Sequence, residues 1–135
     1  PGMVKQGSGA VTNISSVNGI QALGNPAYSA AKAGLISFTQ TLATEYGPKG
    51  IRSNVILPGT IETPVWKHRV EARPDVFEKV KSWYSVGRVG KPEDIAAAVA
   101  FISADESGFV NGASLAVDGG LTAGSFKMIK DMIGK

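Results

Sequence analysis

The chain has 135 residues, of which 43% are hydrophobic, enough for one modest core and too few for two ordinary domains. Charged residues make up 19%, and the net charge of +3 arises from Lys and Arg scattered along the chain, so neither a nucleic-acid stripe nor a membrane-binding patch is expected. With no cysteine and a single histidine, His68, the sequence excludes a disulfide framework, a thiol nucleophile and a histidine metal cluster.

The chain opens Pro1-Gly2-Met3 and reaches a strand-like run within a few residues, which predicts a chain entered in the middle of a fold. Residues 10–15 (AVTNIS) are β-branched enough for a short strand, and residues 29–46 place Leu35, Phe38 and Leu42 at helical spacing. A second strand is expected over 51–57 (IRSNVIL), ending at Pro58-Gly59. A long irregular stretch then runs to about Val89, with one helix expected across 74–83. Pro92-Glu93-Asp94 opens an alanine-rich helix to about Ser103, with proline at a first helical position and acids in the first turn. A last strand over 113–117 leads into Asp118-Gly119-Gly120, and residues 121–135 read as a variable tail. Strands alternating with helices predict a parallel α/β sheet with crossover helices. No apolar run approaches the roughly 20 residues of a membrane span, and no signal segment opens the chain, so a soluble, cytoplasmic protein is expected.

The chemistry gathers between Ser16 and Lys32. Tyr28 and Lys32 are four apart, so their side chains emerge on one face of the expected helix. A cation beside a phenol favours the ionised form, which suits proton transfer. Taken alone, such a pair is ordinarily a solvated helix face, and a Ser15-Ser16 pair at a strand end is ordinarily a turn or a helix cap. Successive strand side chains point to opposite faces, which separates Ser16 from Ser15 and leaves only one of them facing a given site.

Five motifs stand in register: Asn13-Ile14-Ser15-Ser16-Val17-Asn18-Gly19, Tyr28-Ser29-Ala30-Ala31-Lys32, Asn54 to Thr63 (NVILPGTIET), Gly87 to Ile95 (GRVGKPEDI) and Val117-Asp118-Gly119-Gly120. In order and spacing they resemble the second half of the short-chain dehydrogenase/reductase family, and the resemblance covers the chain to about Gly120. It implies an incomplete Rossmann-like, doubly wound parallel sheet: one partial domain over residues 1–135, carrying the catalytic and substrate-loop half without the first dinucleotide-binding half. It implies hydride transfer between NAD or NADP and a small alcohol or carbonyl substrate. Ser16 would hydrogen-bond the reacting oxygen, Tyr28 would act as general acid or base, and Lys32 would support the tyrosine and grip the nicotinamide ribose. Tyr28, Lys32, Pro58, Gly59, Ile61 and Thr63 would face the nicotinamide end of the cofactor. The stretch from Thr60 to about Tyr84 would be the substrate loop, where Trp66, His68, Trp83 and Tyr84 either line a pocket or simply pack. Family members pair through the helix that carries the tyrosine, and here residues 29–46 show small side chains at Ala30, Ala31, Gly34, Ser37 and Thr41, so a homo-oligomer is expected.

The departures from the family pattern fall in one place. Nothing matches its phosphate-binding Thr-Gly-x-x-x-Gly-x-Gly: Gly7-Ser8-Gly9 is followed by Thr12 where a dinucleotide turn wants glycine. The residue that would select NAD or NADP and the family's Asn-Asn-Ala-Gly segment have no counterpart either. Ser16 and Tyr28 are twelve positions apart where thirteen is usual. These gaps leave a second expectation open: a truncated, non-catalytic protein, or one piece of a split protein that acts by association.

Overall fold

A computed structural model describes residues 1–134. The expected strand, helix, strand order is present, preceded by a short helix α1 (Gly2–Gln6) and followed by further helices. Strands β1 (Gly9–Ile14), β2 (Ile51–Pro58) and β3 (Ser114–Val117) form a three-stranded parallel sheet in the order β1-β2-β3. Gly9 pairs with Ile51 at one end and Ile14 with Ile56 at the other, while Val55 to Pro58 pair with Ser114 to Val117. All three strands therefore end on the same side. The crossovers that parallel pairing demands are α2 (Pro26–Tyr46), between β1 and β2, and α5 (Pro92–Ser103), between β2 and β3.

Helix α2 begins at Pro26, earlier than the expected residue 29. Pro26 has no amide hydrogen to waste at a helix start, and Asn25 before it turns the chain with φ of 51°. Adjacent residues of β1 show where the two long helices lie. The Thr12 hydroxyl meets that of Ser103 on α5 at 2.8 Å, and the Asn13 amide donates to Thr39 of α2 at 2.9 Å. Since successive side chains of a strand alternate, α2 and α5 cover opposite faces of the sheet. Val55 and Leu57 of β2 pack with Val17, and Ile36 and Leu121 close over them.

The central strand is buried along most of its length, yet it carries Arg52, Ser53 and Asn54. The Arg52 and Asn54 side chains and the Ser53 amide tie β2 to the segment that enters β3, whereas the buried Ser53 hydroxyl has no hydrogen-bond partner among the described residues. Arg52 donates to the carbonyls of Ile102, Ala104 and Val110, and Asn54 donates to Val110 while accepting from the Ala113 amide at 2.9 Å. Asn111 accepts from the Ser53 amide and donates to the carbonyl of Ala43 near the end of α2. Buried polar groups without such partners would cost stability, so this network sets where β3 lies.

The stretch expected to hold one helix over 74–83 contains two short ones, α3 (Lys67–Ala72) and α4 (Val76–Lys81), broken at Arg73-Pro74. The stretch expected to be a tail contains helix α6 (Phe126–Ile133); residue 135 lies outside the described residues. No described helix is long and apolar enough to cross a membrane.

Candidate active site

The end of β1 supplies the first group. Ser15 still belongs to the ladder through its amide, which donates to the Ile56 carbonyl at 2.8 Å, but its hydroxyl turns onto α2 and donates to the Lys32 carbonyl at 2.7 Å. Ser16 follows and caps the short turn Val17–Gly19; its hydroxyl oxygen accepts from the Asn18 amide and lies 3.2 Å from the Asn18 side-chain oxygen. The Lys32 ammonium donates to the Ile14 carbonyl at 3.0 Å and stands 5.5 Å from the centre of the Tyr28 ring. Tyr28 itself is 42% exposed, with its ring on the open side of the helix start.

The loop after β2 is clamped from two directions. Thr60 donates its amide to the Tyr84 hydroxyl at 2.8 Å and accepts from the Gly90 amide at 2.9 Å; Glu62 donates to the Gly90 carbonyl at 2.8 Å. Arg88 holds the partner segment against α5 by a two-pronged ion pair with Asp94, at 2.7 and 2.8 Å. The Arg88 guanidinium, helped by the Lys91 amide, keeps the Asp94 carboxyl well below the usual carboxylate range. Tyr84 is almost fully buried, so a residue expected to line a pocket or to pack does both: its ring borders the cleft and its hydroxyl fixes Thr60.

Gly59 owes its lack of a side chain to the protein itself. A Cβ there would stand 3.0 Å from Cε1 of Tyr84 and 3.1 Å from the Asp118 Cα, nearer than ordinary carbon contact. Asp118 is in turn locked at the end of β3, where its carboxylate accepts from the Gly120 amide at 3.0 Å and from the Thr122 amide and hydroxyl at 2.9 and 2.6 Å. Burial pushes this carboxyl up, but the donors of Thr122 and Gly120 outweigh it and hold the group below its ordinary value. Gly119 and Gly120 adopt φ of 59° and 85°, and a Cβ on Gly120 would fall 2.0 Å from the Ser85 hydroxyl oxygen.

A cleft of about 620 Å³ opens where these three strand ends meet. Ser16, Tyr28, Gly59, Ile61 and Thr63 all line it, together with Asn18, Trp66 and Tyr84. Two expected residues do not: Pro58 ends β2 behind the loop, and Lys32 stands behind Tyr28 with its ammonium on the Ile14 carbonyl. His68 is exposed beside Glu71, and Trp83 lies outside this cleft and borders an adjoining one. Tyr84, Asn18 and Asp118 are the participants that spacing alone did not single out for these roles. Among the described residues there is no group of side chains able to hold a metal ion.

An open parallel sheet with a hydroxyl, a phenol and a glycine turn at one set of strand ends defines a partial Rossmann-like α/β protein. A family model described as "Enoyl-(Acyl carrier protein) reductase" matches residues 1–122. An uncharacterized oxidoreductase of Schizosaccharomyces pombe is 53% identical over 133 residues, which cover 98% of this chain and 52% of that protein. The crystal structure of a short-chain dehydrogenase/reductase family oxidoreductase from Burkholderia thailandensis superposes with a TM-score of 0.96 at 49% identity, over 99% of this chain and 53% of that one. The structure of ElxO with NADP bound matches with a TM-score of 0.84 at 27% identity, over 91% of this chain and 50% of that one. The chain belongs to the short-chain dehydrogenase/reductase family, and it spans about half the length of these relatives.

The family works with NAD(P), and the cleft can be tested for the nicotinamide end of such a cofactor. The Gly59 and Thr60 amides are already used, on Val117 and Tyr84, whereas the Ile61 amide, on the cleft wall, donates to no group of the described residues. A free backbone donor beside hydroxyl side chains fits a planar amide-bearing ring.

Proposed function

We propose that this chain carries the proton-transfer and substrate side of an NAD(P)-dependent oxidoreductase that interconverts an alcohol and a carbonyl compound. The observation that supports this reading best is the meeting of Ser16 and Tyr28 with Gly59, Ile61 and Thr63 in one cleft at the carboxyl ends of parallel strands. Gly59, Ile61 and Thr63 would hold the nicotinamide end of the cofactor, which when bound would supply the hydride in reduction and take it in oxidation. Ser16 donates its hydroxyl hydrogen to the substrate oxygen and orients it. Tyr28 passes its phenolic proton to that oxygen as the carbonyl is reduced, and takes it back in the reverse direction. Lys32, one turn further along α2, sets its charge against the Tyr28 ring while its spare N–H groups remain available to a ribose.

Tyr28→Phe tests the assignment in the full-length protein. Turnover should fall about 10²–10⁴-fold, because the proton donor is lost, while cofactor affinity stays within a few-fold. Undiminished turnover followed by nicotinamide absorbance would sink the role given to Tyr28.

The protein also associates with itself in this reading, through α2. Ala30, Ala31, Gly34, Ser37 and Thr41 are all exposed, and nothing lies within 4 Å of the point where a Gly34 side chain would begin. Such a face lets a second helix approach closely. The same face supports the alternative in which the 135-residue chain acts by association and not by catalysis. Gly34→Arg should shift the species seen in sedimentation to smaller mass, and an unchanged profile would argue against an interface at this helix.

A further inference from the structure

Arg69 stands in α3, three residues after Trp66, so the two side chains are neighbours on one side of the helix start. Its guanidinium carbon lies 4.8 Å from the centre of the Trp66 ring. That ring is steadied in turn by Phe77 of α4, with ring centres 5.5 Å apart and planes inclined at 53°. Both Trp66 and Arg69 line the cleft at the strand ends.

The charges of the cleft do not balance. Arg52 and Arg88 spend their guanidinium groups inside the protein, on three carbonyls and on Asp94. The Arg69 guanidinium has no ion pair and no hydrogen bond among the described residues, and Glu71, two residues on, lies against His68 at 3.6 Å. Among the described residues that line the cleft, Arg69 alone is charged, and no acid accompanies it. Stacking does not use up its donors, because an aromatic face attracts the cation without offering a lone pair to its N–H groups. It does restrict the guanidinium, so less freedom is lost when the planar fork closes on an oxyanion. Leu23, Val65 and Leu121 in the same walls are apolar, which strengthens the field of a single charge.

The reaction at Ser16 and Tyr28 leaves this cation without a task, since the oxygen they handle is uncharged in both the carbonyl and the alcohol. Resting on the reading of the cleft as the redox site, we propose that Arg69 is a specificity-determining residue that binds an oxyanion, a carboxylate or a phosphate, carried by the substrate away from its reacting carbon. The substrate class is then an anionic oxo or hydroxy compound.

The test compares ligands that differ only in charge, on the full-length protein carrying Trp83→Phe so that Trp66 reports from this region. The probes are 4-oxopentanoate against its methyl ester and dihydroxyacetone phosphate against dihydroxyacetone, so that the two pairs separate a carboxylate site from a phosphate site. Binding is read from Trp66 emission and does not depend on turnover. In at least one pair the anion should bind about ten- to hundredfold more tightly than its neutral counterpart, the range of charge-assisted hydrogen bonds. Arg69→Gln should abolish that preference while the neutral ligands keep their affinity to within about twofold. The thermal midpoint should not move, because the side chain is exposed. Arg69→Lys keeps the charge and loses the fork, so it should retain part of the preference. Anions that bind no more tightly than their neutral counterparts, or a preference that survives Arg69→Gln, overturn the proposal. So does an Arg69→Gln variant that loses affinity for NAD or NADP and keeps its discrimination between the probes, since the guanidinium would then serve a phosphate of the cofactor. An anion preference that depends on Arg69, in a protein whose NAD(P)-linked turnover is untouched by Tyr28→Phe, would keep the anion site and overturn the redox reading instead.

Discussion

Tyr84→Phe removes one oxygen and almost no volume, and its effect can be followed from stability into the site. In the native chain that oxygen accepts the Thr60 amide at 2.8 Å, from a ring that is 3% exposed. The phenylalanine ring would still fill the space against Gly59, so no cavity term enters. What remains is a half-buried N–H without a partner. An orphaned, fully buried donor costs about 1–3 kcal/mol, and Thr60 is only partly covered, so about 1 kcal/mol is expected. For a protein of the size of the relatives that is a fall of roughly 2–4 °C in thermal midpoint. Thr60 is still held by Gly90 at 2.9 Å, so the loop loosens at one end instead of detaching. Cofactor affinity should therefore drop several-fold, through Ile61 and Thr63, while the proton chemistry at Tyr28 is spared. Differential scanning calorimetry and a cofactor titration read the two effects separately. A midpoint unchanged to within half a degree, in the logic of these magnitudes, would mean that the hydroxyl clamp contributes nothing and that Thr60 is positioned by Gly90 alone.

Gly59→Ala should cost about 1–3 kcal/mol, because the new methyl group meets the Asp118 Cα at 3.1 Å, and that turn is pinned by three hydrogen bonds. Equal midpoints for variant and parent in thermal unfolding would show that the Asp118 turn yields. Thr122→Val removes one of the donors that hold the Asp118 carboxyl down, the hydroxyl, and leaves the amide of residue 122 in place. The sign follows from the folded value lying below the unfolded one: the stabilisation is complete above about pH 4 and is lost as the pH falls through the depressed folded value. Parent and variant should therefore differ in denaturant unfolding at neutral pH and converge in strong acid, and a gap that widened on acidification would contradict the assignment.

Strands β1 and β2 are legible to within a residue because each is a short run with several β-branched residues, and β3, with only Val117 of that kind, is legible from the Asp118-Gly119-Gly120 turn that ends it. Helix α5 was legible from Pro92 and the acids behind it. The same proline signal marks the true start of α2 at Pro26, but the asparagine before it takes a left-handed conformation that composition alone does not reveal. Helix α1 is five residues long, too short for periodicity to speak. Helix α6 has an apolar spacing that is plain once the segment is taken as a helix, but no motif covers it, so the sequence alone does not separate it from a tail. In the cleft, Ser16, Tyr28, Gly59, Ile61 and Thr63 are where the motifs put them in sequence and they share one space. Tyr84 and Asp118 could not be given their roles in advance, since the Thr60 to Tyr84 bond joins residues 24 positions apart and exists only once the chain has folded.

The unusual twelve-residue interval between Ser16 and Tyr28 has a physical resolution in how the two residues are held. The Ser15 hydroxyl donates to the carbonyl of Lys32, and the ammonium of Lys32 donates to the carbonyl of Ile14. Two bonds running in opposite directions thus lock the end of β1 to the second turn of α2. Gly19 completes the lock: a Cβ there would stand 2.9 Å from Cδ1 of Ile36 and 3.0 Å from the Lys32 carbonyl oxygen, so only glycine lets the chain pass this close to the helix. Ser16 lies on one side of that junction and Tyr28 one turn away on the other. Their relation is therefore set by a strand and a helix that are bonded directly, and not by the length of the segment that connects them. Residues 20–25 are exposed, but the Gly24 carbonyl accepts from the Asn18 side-chain amide at 3.4 Å and the Ser29 hydroxyl at 3.1 Å, so the connecting segment adds a second tie between the turn after β1 and the start of α2. Lys32 then serves two ends at once: it fixes the backbone that presents Ser16, and it keeps a cation against the ring of Tyr28.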